Sequence, residues 1–426
     1  RNGTEPVTYL HPLLKPVLEK TLGVPLFQEQ LMQIAITIAG FTPGEADQLR
    51  QAMASKRSRE RMERIRQRLY DGMAERGVVG DVADMMWDKL SAFANYGFPE
   101  SHSVSFAYLV YASSWLKRYH PAAFCAGLLN AQPMGFYSPH SLVQDARRHG
   151  VEVRIPDLNA SDWNATLEPC ATGAHGEDKN VPLVRTSRPE TWGHGGPEVR
   201  LGIGSVRGIG DDLAKEIAAG RPYESMEDLE RRVPSLTLPH LEALATAGAF
   251  GCFDVTRRAA LWGAGAVAQS RPDRLEGIVT GVDAPTLPGM SPREEAIADL
   301  WATGVSPDGH PTRFVRSRLD ELGATPASGL AAIDANEKVL VGGVVTHRQR
   351  PATAQGTIFI NLEDETGLIN VVCSKGCWTR YRRVARGCPA LLIRGRLEKN
   401  EGVINVVAER IDPLPLDATT KSRDFR

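Results

Sequence analysis

The chain has 426 residues, 42% of them apolar and 24% charged, and a formal net charge of −1. That composition excludes a disordered chain and leaves room for roughly two to four domains with cores of their own, while no apolar run reaches the roughly 20 residues a membrane-spanning helix needs. Near-neutrality also excludes attraction of nucleic acid by a global field, so any such affinity has to come from local basic patches.

The start, Arg1-Asn-Gly-Thr4, has no signal-peptide pattern and reads as the interior of a longer polypeptide. Val24-Pro-Leu-Phe-Gln-Glu-Gln30 precedes apolar residues at Leu31, Ile34, Ala35 and Ile38, a helical period. Taken alone, Gln28 to Gln30 form a solvated helix start. Thr42 is placed to cap the next helix with Pro43 at its first position. That helix leads into a basic run, Arg50, Lys56, Arg57, Arg59, Arg61, Arg64, Arg66 and Arg68, set against Glu60 and Glu63. Such a run is either a solvated helix face or a phosphate-binding one.

The stretch from Ala92 to Pro121 is the most distinctive. Tyr96-Gly-Phe98 makes a turn, Pro99 can sit just inside a helix start, and Ser101 can cap it. Backbone N–H groups and His102 would then converge on one anion-accepting spot. Phe106, Leu109, Val110, Ser113, Leu116 and Lys117 recur at three- and four-residue steps, which predicts a long buried helix.

This block, Tyr-Gly-Phe-x-x-Ser-His, then an aromatic helix and Trp115-Leu-Lys-x-x-x-Pro121, resembles the fingers of bacterial C-family DNA polymerases, the DNA polymerase III alpha-subunit family. Gln28-Glu-Gln-x-Met32 is similar to another segment of those fingers. Replicative members carry Asn-Lys where Pro99 and Glu100 stand. That departure, with Gln132-Pro-Met-Gly-Phe-Tyr-Ser-Pro139 and Asp145-Ala-Arg-Arg-His-Gly-Val151, is similar to the error-prone (ImuC-type) branch used in damage-induced mutagenesis. The resemblance implies that the Leu49-Arg-x-Ala-Met-x-x-Lys56 segment lies near the incoming nucleotide. Arg50, Lys56 and Arg57, with Tyr96, Ser101 and His102, would then form the dNTP and phosphate site, since guanidinium and ammonium groups both suit phosphate oxygens.

Further along, Pro133 to Gly150 reads as a helix, Val151 to Leu167 as an extended segment, and Pro169 to Pro197 as a Gly-, His- and Pro-rich loop whose His175 and His194 are solvent groups. At Leu201 a new unit begins. Gly208-Ile209-Gly210 opens a helix in a pattern that looks like a helix-hairpin-helix motif, with Lys215 one turn on and a second, degenerate unit at Leu236 to Phe250. Glycines let backbone approach a phosphate, and the helix start supplies oriented N–H donors that hold DNA without reading its sequence. A dinucleotide site is excluded because neither a preceding strand nor a suitably spaced acid is present. Helices near Pro292 to Ala302 and Thr312 to Leu322 follow in a connector.

From residue 338 to 412 strand alternation occurs five times: Lys338 to Thr346, Thr357 to Asp364, Gly367 to Cys373, Ala390 to Leu397 and Gly402 to Ile411. A helix, Cys377 to Ala385, sits between the third and fourth. This is the order of an OB barrel. Ile358, Ile360 and Leu362 share the core face. Phe359 faces outward and either stacks on a single-stranded base or packs under a loop, with Arg348, Arg350 and Arg380 as phosphate partners. Gln355-Gly-Thr-Ile-Phe359 matches a sliding-clamp pentapeptide literally, but Ile358 belongs to the core face. Direct clamp binding is therefore disfavoured, and access through mutasome partner proteins is expected instead. The six cysteines lack CxxC pairs and suit reduced thiols in the cytoplasm, and Cys373 and Cys377 have no histidine cluster to complete a zinc site.

The expected fold is multidomain α+β. It comprises helical fingers over 1–134, a helix-strand and loop segment over 135–197, a tandem helix-hairpin-helix region over 198–263, a helical connector over 264–336, a five-stranded OB β-barrel over 337–413, and a tail over 414–426. The resemblance implies the C-terminal portion of an error-prone DNA polymerase that holds primer–template DNA and dNTP. Two Mg²⁺ ions would be bound by palm carboxylates. No Asp-x-Asp pair occurs in the chain, and Asp81, Asp84, Glu363, Asp364 and Glu365 read as helix-surface and turn acids, so the metals would sit outside it and the chain alone would be inactive. Alternatives are a fragment of the replicative alpha subunit and a non-catalytic helix-hairpin-helix/OB scaffold.

Overall fold

The computed structural model describes residues 3–54, 58–93, 98–170, 188–269, 284–351, 354–416 and 423–425. The chain divides into two compact units, Arg1–Ser114 and Trp115–Arg426.

The first unit is helical. A short α1 (Lys15–Leu18) precedes α2 (Gln28–Ala39), α3 (Pro43–Ala54), α4 (Ser58–Glu75), α5 (Asp81–Phe93) and α6 (Glu100–Tyr119), whose last turns belong to the second unit. Leu31, Ile34, Ala35 and Ile38 of α2 all face the core, where Leu49, Leu69, Met73 and Leu90 from the next three helices meet them. The α3 start is the predicted one. Thr42 Oγ1 accepts from the Glu45 N–H at 3.2 Å, and Glu45 Oε2 accepts from the Thr42 N–H at 2.8 Å, a reciprocal cap. The crossing of α4 over the end of α2 needs Gly72, since a Cβ there would lie 1.9 Å from the Ala39 carbonyl oxygen.

The buried helix expected at α6 is not buried: Phe106 is 51% exposed and Tyr111 73%, and no α6 residue is buried. Its three- and four-residue spacing describes an apolar face correctly, but Phe106, Leu109, Val110 and Leu116 on it are all exposed. Spacing reports that a face is apolar and is silent about what lies against it.

In the second unit α7 (Pro121–Asn130) and α8 (Pro139–Arg148) pack on a small sheet of β1 (Val153–Arg154), β2 (Thr166–Glu168) and β3 (Glu198–Arg200), ordered β1-β3-β2, around Cys125, Val143, Val153 and Val199. β1 and the first two residues of β2 fall in the extended segment expected there, while β3 directly follows the expected loop. Next come α9 (Asp211–Ala219), α10 (Met226–Arg232), α11 (Leu238–Ala247) and α12 (Arg257–Val267) around Ile217, Leu229, Leu244 and Phe250, then α13 (Pro292–Ala302) and α14 (Arg316–Glu321).

The barrel follows: β4 (Lys338–Gln349), β5 (Ile358–Asp364), β6 (Gly367–Cys373), α15 (Lys375–Gly387), β7 (Ala390–Asn400) and β8 (Val403–Pro413). The order β5-β6-β8-β7-β4 closes through a second pairing of β4 with β5, and β6 runs parallel to β8. This is the predicted five-stranded barrel with its helix between the third and fourth strands. The tail adds β9 (Arg423–Phe425), parallel to β4.

Candidate nucleic-acid interface

In the first unit, the expected anion spot at the start of α6 is already filled by the protein. The helix begins at Glu100, so Ser101 lies inside the first turn instead of capping it, and the Pro99 carbonyl accepts from Ser103 N–H. Glu29 Oε2 accepts from the Glu100 N–H at 2.9 Å, which places a carboxylate where the anion was expected, and Lys20 pairs with Glu100. Ser101 and His102 are exposed, and the His102 ring stands between Phe98 and Phe106, with centroids 5.1 and 4.4 Å away. Tyr96, Lys56 and Arg57 lie outside the described residues.

Gln28 to Gln30 are not merely a solvated helix start. Gln30 is buried, its Oε1 accepting from the Leu26 and Phe27 N–H groups while its Nε2 donates to Val17 O and Thr21 Oγ1. The pair Glu29 and Gln30 thus ties two helix starts together.

Arg50 is half-exposed, and its Nε donates to Asp47 Oδ1 at 2.8 Å, a bond that holds the Asp47 carboxyl below its usual range. The rest of the described basic run is split. Arg68 donates to Glu45 Oε1 at 2.9 Å and to the Ala39 and Gly40 carbonyls, with its guanidinium over Phe41. Arg66 lies over Tyr70 and Trp87. These two arginines close helix ends and cover aromatic rings.

In the second unit, Gly208 has φ +84°, a left-handed turn that glycine adopts freely, and Gly210 is the N-cap of α9. Ile209 between them is buried and anchors the hairpin in the helical core. The turn sits beside the first turn of α11, where His240 Cδ2 lies 3.8 Å from a Cβ built on Gly208. Lys215 is exposed, its ammonium 4.6 Å from the centroid of Trp163. Asp211 and Asp212 occupy the first turn of α9 and offset part of the positive potential of its amides.

On the barrel, Ile358, Ile360 and Leu362 are buried and Phe359 is half-buried between them, as the alternation predicted. Because Ile358 is 2% exposed, the clamp-like pentapeptide is not presented as a free peptide. The three arginines expected to serve phosphates are not brought together. Arg348 is 6% exposed and structural: its Nε donates to Ala385 O and its Nη2 to Cys388 O, both at 2.7 Å, and its Nη1 pairs with Asp424. Arg350 is exposed at the end of β4 and lines a cavity of about 430 Å³ with Trp378, Arg382 and Arg386, whereas Arg380 does not reach it. Sequence reasoning misses Arg382 and Arg386, although their four-residue spacing from Trp378 is the signal that marks them.

Asp81 and Asp84 lie exposed in the first turn of α5 and Glu365 stands in the β5–β6 turn, as read, but Glu363 and Asp364 are buried joints. Glu363 is buried, accepting from Arg148 Nη2 at 2.9 Å and Ser141 Oγ at 2.8 Å, and burial outweighs these partners to raise its carboxyl. Asp364 accepts from Thr366, Gly367 and Ala327 N–H groups, and Glu365 pairs with Arg316. Asp84 accepts from Tyr70 OH at 2.7 Å. Among the described residues no group of three or more His, Cys, Asp or Glu is placed to hold a metal, so these acids do not fit a Mg²⁺ pair.

A helical unit, a glycine hairpin on a helix start and a closed OB barrel define a nucleic-acid-handling chain built from modules. Its sequence matches, in order, the bacterial DNA polymerase III alpha subunit finger domain over residues 1–77, the helix-hairpin-helix motif over 150–260 and the OB-fold nucleic acid binding domain over 339–414. The chain belongs to the bacterial DNA polymerase III alpha-subunit family.

Within that family it groups with the error-prone branch. It is 55% identical over 431 residues to the error-prone DNA polymerase of Mycolicibacterium paratuberculosis, 57% over 441 residues to that of Nocardia farcinica and 56% over 431 residues to that of Mycobacterium tuberculosis. All of the chain takes part in each match, against 37%, 36% and 37% of the three relatives, so it spans a little over a third of their length.

Proposed function

We propose that the chain is the C-terminal, substrate-gripping part of an error-prone DNA polymerase that extends primers past damaged template bases, in the cytoplasm, using dNTPs and Mg²⁺ held by carboxylates elsewhere in the polypeptide. The observation that carries the reading is the ordered succession of finger, hairpin and barrel modules over a chain more than half identical to error-prone polymerases. The hairpin at Gly208–Gly210 holds duplex backbone through the amides of α9, with Lys215 beside it. In the helical unit Arg50, with Lys56 and Arg57, meets the triphosphate, and Arg50 exchanges its surface bond to Asp47 for a phosphate oxygen. The buried Ile358 supports clamp access through partner proteins and not through the pentapeptide.

The test is primer extension by the full-length enzyme carrying Arg50→Ala. A raised dNTP KM or lowered kcat, with unchanged thermal melting, is expected. A wild-type rate would remove Arg50 from the site, and absence of any primer extension by the unmodified full-length enzyme would overturn the polymerase reading itself.

A further inference from the structure

Immediately around Phe359 the barrel's outer strand face has little to hold a phosphate. Phe359 is flanked in register by Gln349 and Val372, and the next outward position, Asn361, is bonded to Asn370 at 2.8 Å. The positive charge lies elsewhere. Helix α15 reads Lys-Gly-Cys-Trp-Thr-Arg-Tyr-Arg-Arg-Val-Ala-Arg-Gly, with no acid in it. Trp378, Arg382 and Arg386 recur every fourth residue and line one side of the cavity of about 430 Å³, with Arg350 at the end of β4 on the other. An adjoining open recess is lined by Arg382, Arg383 and Arg386.

Two features distinguish this groove from an ordinary solvated helix face. Arg350, Arg382 and Arg386 are exposed and have no ion pair among the described residues. Among the described residues the one acid in the wall, Asp424, is answered by Arg348, which is locked beneath the groove by the Ala385 and Cys388 carbonyls. Three positive charges are therefore left over at one place. Trp378 packs partly on the barrel core and lines the cavity as well, so it is a held aromatic surface with arginines on its own helix one and two turns away. Successive arginines at four-residue steps advance about 6 Å along the helix, and a run of phosphates on an extended strand can meet them in turn. An aromatic platform inside a cationic track is the chemistry that holds single-stranded nucleic acid without regard to sequence.

We propose that this helix-side groove, and not the strand face around Phe359, is where the barrel takes a single DNA strand, with phosphates on Arg350, Arg382 and Arg386 and a base against Trp378. The proposal rests on the reading of the barrel as a nucleic-acid module, and it is tested by binding alone, independently of nucleotide transfer. The full 426-residue chain is titrated against a fluorescent oligo-dT of about 20 nucleotides, long enough to cover one OB-fold site, over a range of KCl concentrations. It is compared with the triple variant Arg350→Gln/Arg382→Gln/Arg386→Gln and with Phe359→Ala.

Each phosphate contact on a single strand contributes about −0.7 to the slope of log K against log salt. The triple variant should therefore lose about two units of slope and bind roughly 100-fold more weakly at about 0.1 M salt, with unchanged melting, while Phe359→Ala stays within about twofold. Retained affinity and slope in the triple variant would overturn the proposal. So would loss of binding in Phe359→Ala alone, an equal loss on a blunt duplex, or no oligo-dT binding by the wild-type chain. Primer extension by the full-length enzyme remains a separate readout, so failure here leaves the polymerase reading standing or falling by itself.

Discussion

Arg68 on α4 bonds a carboxylate and two backbone carbonyls at the end of α2, whereas Arg382, Arg383 and Arg386 on α15 have no ion pair among the described residues. Both helices are arginine-rich, and composition alone gives them the same meaning. What separates them is the neighbouring surface. Helix α4 crosses α2 so closely that only Gly72 fits, which brings its arginines within reach of unsatisfied C-terminal carbonyls. Helix α15 buries only Ala385 fully and rests Trp378, Tyr381 and Val384 on the barrel, so the arginines between those positions meet no carbonyl end. A basic run becomes available to a ligand when its packing partners leave the charges unanswered.

The contrast is sharpest at Arg348, an arginine beside the groove that is held by protein partners as firmly as Arg68 and is far more buried. Arg348→Ala would strand the Ala385 and Cys388 carbonyls and Asp424. A loss of about 3–5 kcal/mol is expected, measured by urea unfolding of the chain. A loss below about 1 kcal/mol would place Arg348 with the free arginines instead.

The next effect concerns the joint near Arg148. His140 and His310 are buried with their rings stacked at 5.5 Å, and burial first, then the nearby charges, pushes His140 down to about 4 and His310 down as well. A depressed histidine resists charging in the folded state while the unfolded chain takes up the proton. Stability is therefore full above about pH 6.5 and is lost as the pH falls toward 4, by about 3 kcal/mol for His140. Glu363 and Asp299, both raised by burial, oppose this by favouring the acid side, so the informative quantity is the difference between wild type and His140→Gln. The variant should lose less stability than wild type between about pH 7 and about pH 4.5, and parallel curves would deny the pair its role.

Smaller still is Arg68→Gln. Its side chain is 42% exposed, so solvent screens the ion pair with Glu45 and about 1–2 kcal/mol is expected from the hydrogen bonds to the two carbonyls, read by urea unfolding.

Much of the architecture could be read from residues in order. The alternation at Ile358, Ile360 and Leu362 assigned β5 and its inner face, and Thr42-Pro43 marked the start of α3, because both signals are local. The phosphate-site reading of Arg348 failed for an equally local reason. A bulge between Val345 and His347 shifts the register of β4 against β5, so alternation no longer tells which side Arg348 takes. Strands of two and three residues, as in β1, β2 and β3, are too short to carry a period. The cap that Glu29 places on α6 joins residues 71 positions apart, and nothing in either neighbourhood announces it.

The most direct test sets the two helices against each other in one binding assay. Single-strand affinity is measured for folded Arg382→Gln and folded Arg68→Gln at about 0.1 M salt. Binding about fivefold weaker is predicted for Arg382→Gln with unchanged stability, and wild-type affinity for Arg68→Gln despite its lower stability. Wild-type binding by Arg382→Gln, or weakened binding by a fully folded Arg68→Gln, would contradict the assignment of the free arginines to the DNA strand.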